Sequence, residues 1–171
     1  TSAASWCSTD APSRSTPGCA ERRHVIVEKN GKKVDLHDLI ADAPTAVLAT
    51  IRADGRPQLS PVNQYYDREA GIVYVSIAEG RAKTANLRRD PRASLQASSA
   101  DGWAWATVDC TAELTAPASA PDDEVVDQLV AYFRAAAGEH SDWDEYRRVM
   151  VAERRVLLKL HVERIYGAKV H

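Results

Sequence analysis

The chain has 171 residues, 22 of them basic and 24 acidic, for a formal net charge of -2. That length supports one domain around a single hydrophobic core without disulfide or metal staples, and so balanced a charge excludes a global electrostatic attraction to nucleic acid or an anionic membrane. Cys7, Cys19 and Cys110 stand far apart with no C-x-x-C pair, so neither a zinc site nor a dithiol redox motif can be read from them.

Residues 1 to about 23 are rich in Ser, Thr, Pro and Ala with little apolar periodicity, a composition that predicts a mobile tail because burial cannot repay its ordering entropy. No apolar run approaches the roughly 18 residues of a membrane span, and no secretory core is recognisable, so a cytoplasmic location is expected. In the stretch 24–34, two short strand-like runs flank Asn30-Gly31, the dipeptide suited to a two-residue hairpin turn. Asp35 then caps a short helix through Ala41, ended by Pro44.

From Thr45 the pattern turns to strands: TAVLATI, RPQLSPVNQYY and IVYVSIA, joined by turns at 53–55 and 67–71, read as an antiparallel meander. RAKTANLRR has helical spacing and is closed by Asp90-Pro91; the strands ASLQASS and WAWATVDCTAEL follow. Asp122, Asp123 and Glu124 open a helix to about Ala137 that Gly138 terminates, and Ser141 with Asp144 resembles an N-cap box for a second helix through Ala152. RRVLLKLHVERIYG alternates and returns as the last strand. Six main strands with peripheral helices over residues 35–171 predict one mainly β, barrel-like domain.

The segment 76–95, SIAEGRAKTANLRRDPRASL, places Arg81, Lys83, Thr84 and Asn86 where a strand gives way to a helix. Free N–H groups and partial positive charge at a helix start, joined by a cation, a hydroxyl and an amide, make a site for a phosphate. Spacing alone leaves open, and favours, a solvated face in which Arg81, Lys83, Arg88 and Arg89 pair with Asp90 and Glu79. Neither G-x-G-x-x-G nor a Walker pattern is present.

LATIRADGRPQLSPV, VSIAEGRAKTANLRRDPRASL, DGWAWATVDCTAEL, APDDEVVDQLV, GEHSDWDEYRRVM and RRVLLKLHVERIYG, in this order over about residues 36–167, resemble the pyridoxamine-phosphate-oxidase-like family, in particular its actinobacterial branch of reductases that use the deazaflavin coenzyme F420. The resemblance implies a six-stranded antiparallel split β-barrel, a homodimer, and two cofactors held at the subunit interface. It assigns phosphate binding to Arg81 and Lys83 with Thr84 and Asn86 adjacent. The ring system would lie along Gln58, Ser60, Pro61, Val62 and Asn63 and along Ser76, Ile77 and Ala78, with Trp103 and Trp105 closing the pocket from the other subunit.

The start Arg81-Ala82-Lys83-Thr84 and the end Asp90-Pro91 are similar to the deazaflavin branch; relatives using flavin mononucleotide (FMN) tend to Ser-Arg-Lys and Asn-Pro. The C-terminal Arg- and Trp-containing pattern of vitamin B6 oxidases is absent from IYGAKVH. The implied reaction is hydride transfer from reduced F420 to a small-molecule acceptor with an activated C=C, a quinone or a tetrapyrrole. An FMN enzyme of the same fold and a non-catalytic carrier of F420 or flavin are the alternatives. No side chain stands out as general acid, so cofactor and solvent carry the chemistry and no metal is expected; the five histidines show no ligand or base spacing. Trp143, Tyr146 and Met150 share a helix face and read as core or dimer contact.

Overall fold

A computed structural model describes residues 25–170. The tail expected over 1–23 lies outside the described residues, as do Cys7, Cys19, His24 and His171.

The hairpin signalled by Asn30-Gly31 is present: β1 (Ile26–Lys29) pairs antiparallel with β2 (Lys32–Asp35), and both turn residues take positive φ, 54° and 73°. Asp35 caps α1 (Leu36–Ala41) by accepting from the His37 N–H at 2.9 Å. Leu36, Leu39 and Ile40 of this helix are buried in the main core.

The remaining strands are β3 (Thr45–Ile51), β4 (Pro57–Asn63), β5 (Tyr65–Asp67), β6 (Ile72–Ala78), β7 (Arg92–Ser98), β8 (Ala104–Leu114) and β9 (Arg155–Lys169), in one antiparallel sheet ordered β4-β3-β7-β8-β9-β6-β5. The sheet therefore has seven strands where six were expected, because RPQLSPVNQYY breaks at Gln64. The break has a physical cause. The Gln64 backbone N–H donates to the Pro44 carbonyl, and its buried side-chain amide donates to the carbonyls of Ile40 and Ala43, which lie at the end of α1 where carbonyls lack helical partners. The consequence is closure: Asn63 and Tyr65 are two residues apart, a span of at most about 7 Å, yet they belong to opposite edges of the sheet. The sheet must curl until its edges meet, which makes the split barrel.

Alternation fills the interior, with Leu48 from β3, Val73 and Val75 from β6, Leu95 from β7, Val108 from β8 and Leu158 from β9 at most 1 % exposed. Each such side chain contributes about 1.5–3 kcal/mol by leaving water. Cys110 sits among them, and burial first, then the charges of Asp109 and Glu163, push its thiol up to about 12, which leaves it inert as a nucleophile.

Between β6 and β7 runs α2 (Ala82–Arg89); α3 (Glu124–Ala137) and α4 (Trp143–Ala152) form a helical hairpin before β9. The expectation of a single core needs correction. Val126, Leu129 and Val130 of α3, Tyr146 and Met150 of α4 and Leu157 of β9 form a second, smaller cluster, because the outward residues Tyr74 and Leu157 give β6 and β9 an apolar outer face to cover. The cap of α4 is Asp142 rather than Ser141: its carboxylate accepts from the Glu145 N–H at 2.8 Å. Gly138, with φ 85°, ends α3 as expected.

Asp123 caps α3 through the Val126 N–H at 2.7 Å and also accepts from the N–H groups of Ser119 and Ala120 and from the Ser119 hydroxyl. Burial acts to raise its carboxyl, but these hydrogen bonds together outweigh it and hold the group at about 2. Because this value lies below the ordinary one, the stabilisation is present above about pH 4 and is lost as pH falls toward 2. Asp123→Ala is expected to cost about 1–2 kcal/mol at neutral pH and to flatten the acid limb of stability between pH 4 and 2, measured by urea unfolding at each pH.

Candidate functional site

A cleft of about 1180 Å³ opens where the ends of β4 and β6, the start of α2 and the α3–α4 hairpin converge. β6 runs out at Ala78, and the chain turns through Glu79 and Gly80, whose φ of 80° suits glycine. Arg81 becomes the N-cap of α2 in extended conformation with no side-chain cap bond. The first N–H groups of the helix are thus left for another partner.

The basic residues around this helix divide into two sets. Arg88 binds Glu79 at 2.6 and 3.2 Å, Arg89 donates to the Ile51 carbonyl, and Arg92 binds Asp90 at 2.7 and 3.0 Å. The bonds to Arg92 hold the Asp90 carboxyl at about 2, and those to Arg88 lower that of Glu79. Arg81 and Lys83 make no side-chain hydrogen bond or ion pair among the described residues, and both line the cleft. The pairing expected from spacing therefore holds for Arg88 with Glu79. Asp90 takes Arg92 instead, and the two cations of the candidate phosphate site are left over.

Of the other residues singled out from the sequence, Pro61, Val62, Asn63, Ser76, Ile77 and Ala78 line the same cleft. Thr84 and Asn86 do not. Thr84 is fully buried, and its hydroxyl donates to the Ala78 carbonyl at 3.0 Å, fastening the first turn of α2 to the end of β6. The Asn86 amide donates to Thr50 Oγ1 at 3.1 Å and Gln58 Oε1 at 2.8 Å, so it and Gln58 anchor α2 on the strands and border a second hollow with Arg52 and Arg89. Ser60 is buried, on the same inward face of β4 as Val62. Trp103 borders a third hollow with Asp101 and Lys169, while Trp105 packs edge-on against Tyr166 with centroids 6.2 Å apart; neither lines the cleft of its own chain.

Sequence reasoning missed the opposite wall. Tyr132 and Phe133 of α3, Tyr146 and Met150 of α4, and Glu153 and Arg155 ahead of and at the start of β9 complete the cleft. The shared face of Tyr146 and Met150 was the one signal, and it read as core. The Tyr132 hydroxyl donates to the Asn63 carbonyl at 3.2 Å, spanning from the hairpin to the edge strand β4. Burial raises its phenol, against the opposing pull of the Ser76 N–H and the Arg155 charge, so it is neutral and a donor at ordinary pH. The site therefore offers an uncapped helix start with two cations that are unpaired among the described residues, a strand surface beyond it, and an aromatic wall with an arginine.

A family model described as pyridoxamine 5'-phosphate oxidase matches residues 34–169. Solved structures share the fold at low identity. An F420 reductase is 17% identical over 76% of this chain and 94% of its own, with a TM-score of 0.57. A conserved hypothetical protein from Mycobacterium tuberculosis is 20% identical over 89% of this chain and 91% of its own, at 0.61. A heme storage protein from Vibrio cholerae is 20% identical over 75% of this chain and 89% of its own, at 0.57. These likenesses concern the fold, a mainly β split barrel, whereas the family match spans most of the sequence: the chain belongs to the pyridoxamine 5'-phosphate oxidase family.

Proposed function

We propose that this protein is an F420-dependent oxidoreductase that transfers hydride from the reduced deazaflavin to a small acceptor with an activated C=C or a quinone-like or tetrapyrrole system. The observation that carries the reading is the pair Arg81 and Lys83, cations that have no side-chain partner among the described residues and line a cleft at an uncapped helix start. A phosphate-bearing cofactor fits there: its anion would meet Arg81, Lys83 and the helix N–H groups, and its ring would lie along Pro61–Asn63 and Ser76–Ala78. The bound group would supply the two-electron chemistry, while the protein orients it and shields it from water. A structural neighbour named as an F420 reductase supports the choice of deazaflavin.

The same reading includes a homodimer. Cross-strand partners Val47, Gln96, Thr107 and Tyr166 lie in one row across the outer face of the sheet. Val47 and Tyr166 are 37 % and 38 % exposed, and Leu59, on the same face of the adjoining strand, is 65 % exposed. An apolar face of this kind is stabilised by a second copy, which would bring Trp103 and Trp105 to the partner's cleft.

The test is equilibrium titration with F420 and, separately, FMN, followed by tryptophan fluorescence, with sedimentation of the same sample. Preferential micromolar binding of F420 to a dimer, followed by oxidation of reduced F420 in the presence of a quinone, is expected. Preference for FMN moves the assignment to a flavin enzyme of the same fold, and binding of F420 with no turnover on a broad acceptor panel moves it to a carrier. Binding of neither overturns it.

A further inference from the structure

A second hollow, of about 750 Å³, lies across α2 from the cleft. It is bordered by Arg52 and Asp54 of the β3–β4 turn, by Gln58 of β4, and by Ala82, Asn86 and Arg89 of α2. These last three follow the four- and three-residue spacing of one helix face, whereas Arg81 and Lys83 line the cleft. The two spaces therefore share a helix and no charged group.

Hydrogen bonding leaves this hollow rich in donors. The Asn86 amide nitrogen donates to Thr50 Oγ1 and Gln58 Oε1, and Asn86 Oδ1 accepts from Arg89 Nη2 at 3.3 Å. Both amide oxygens are thus engaged. Because Asn86 holds the oxygen of Gln58, the Gln58 Nε2 group is turned the other way, and it makes no hydrogen bond among the described residues. Arg89 uses Nη2 for Asn86 and the Ile51 carbonyl, which fixes the guanidinium and leaves Nε and Nη1 for another partner. Arg52 stands 3.7 Å from Asp54 Oδ2, with both side chains about half exposed. That separation is beyond hydrogen-bond reach, and so exposed a pair is readily exchanged for another anion. The opposing carboxylate is anchored on the turn, since Asp54 Oδ1 accepts from the Arg56 N–H at 3.1 Å.

We propose that this hollow is a second anion site, separate from the cleft, and takes the phosphate group of a small phosphomonoester. Donors reach it from three elements, the β3–β4 turn, β4 and α2, and so from three directions. That arrangement suits a tetrahedral anion with three free oxygens better than a planar carboxylate, and two arginines match the charge of a dianion. The site stands whether or not the cleft holds a deazaflavin, because no residue is common to both.

The experiment is equilibrium dialysis against radiolabelled inorganic phosphate at fixed ionic strength. It is made in the Arg81→Ala, Lys83→Ala background, so that the start of α2 adds no binding of its own, with circular dichroism to show that each protein folds. Saturable binding is expected, with glycerol 3-phosphate displacing the label. Arg52→Gln should weaken it about tenfold or more, because a charged donor is lost. Gln58→Glu should do the same: it keeps an oxygen for Asn86 to bond and puts a carboxylate oxygen where the donor stood. Asp54→Asn should act in the opposite direction and tighten binding about two- to fivefold, the effect of one exposed charge. No saturable binding in this background, or an affinity indifferent to Arg52→Gln and Gln58→Glu, overturns the site. Label that glycerol 3-phosphate fails to displace overturns the phosphomonoester assignment.

Discussion

The Arg81→Ala, Lys83→Ala double variant is expected to bind F420 at least a hundredfold more weakly than the parent chain. A hydrogen bond to a charged group contributes about 1.5–3 kcal/mol, and about 1.4 kcal/mol is tenfold in affinity, so each cation alone should account for about tenfold or more. The effect should be confined to binding. Neither side chain has a partner to lose among the described residues, so unfolding stability should move by no more than about 0.5 kcal/mol. Arg88→Ala is the matched control: it removes a cation from the same helix, but one already bound to Glu79, and F420 affinity should change by less than about threefold. Titration of the three proteins at fixed ionic strength decides the matter, because exposed charges are screened by salt. Equal affinity in the parent and the double variant would remove the phosphate site from the start of α2.

Gly167→Ala should be the most damaging single methyl in the barrel. Gly167 pairs with Ala106 across β8 and β9, and a Cβ there would stand 2.1 Å from the Trp105 carbonyl oxygen, 3.0 Å from Ala106 Cα and 3.1 Å from Leu36 Cδ1. Two of these three atoms are backbone, and the Trp105 carbonyl cannot swing away without disrupting the β8–β9 ladder. The expected cost is about 3 kcal/mol or more, at the upper end for overpacking, which for a domain of this size lowers Tm by roughly 6–12 °C. Gly55→Ala makes the comparison informative. Gly55 has φ 82° with no atom within 4 Å of its Cβ position, so its cost is conformational alone and should be about 1 kcal/mol. Urea unfolding of both variants measures the difference. Near-equal midpoints would mean that the final strand does not pair with β8 at Gly167.

Whatever depends on neighbours in sequence was legible. The alternation of β3, β6, β7 and β8 follows from apolar side chains at every second position, the hairpin from Asn30-Gly31, and the capping of α1 from the carboxylate of Asp35. The loop that ends in Arg81 was legible as a candidate anion site for the same reason, since a strand end, a glycine and a basic helix start are adjacent in the chain. Cys110 was read as a small buried strand residue, and it is one.

Partnerships between distant residues were decided by the tertiary structure. Gln64 looks like an ordinary polar strand residue until Ile40 and Ala43 present their carbonyls to it, and the barrel's closure depends on that encounter. Asn86 was read as part of the phosphate site, but it is taken up by Thr50 and Gln58, 36 and 28 residues away. The separation of Arg81 and Lys83 from Arg88, Arg89 and Arg92 rests on where Glu79, Ile51 and Asp90 fall in space. The aromatic wall rests on a helical hairpin folding back over β6 and β9. Local propensity determined the elements and the candidate anion site, because both are written in consecutive residues; which polar groups remain unpaired and what faces them across the cleft was settled only when the closed sheet and its second core brought remote segments together.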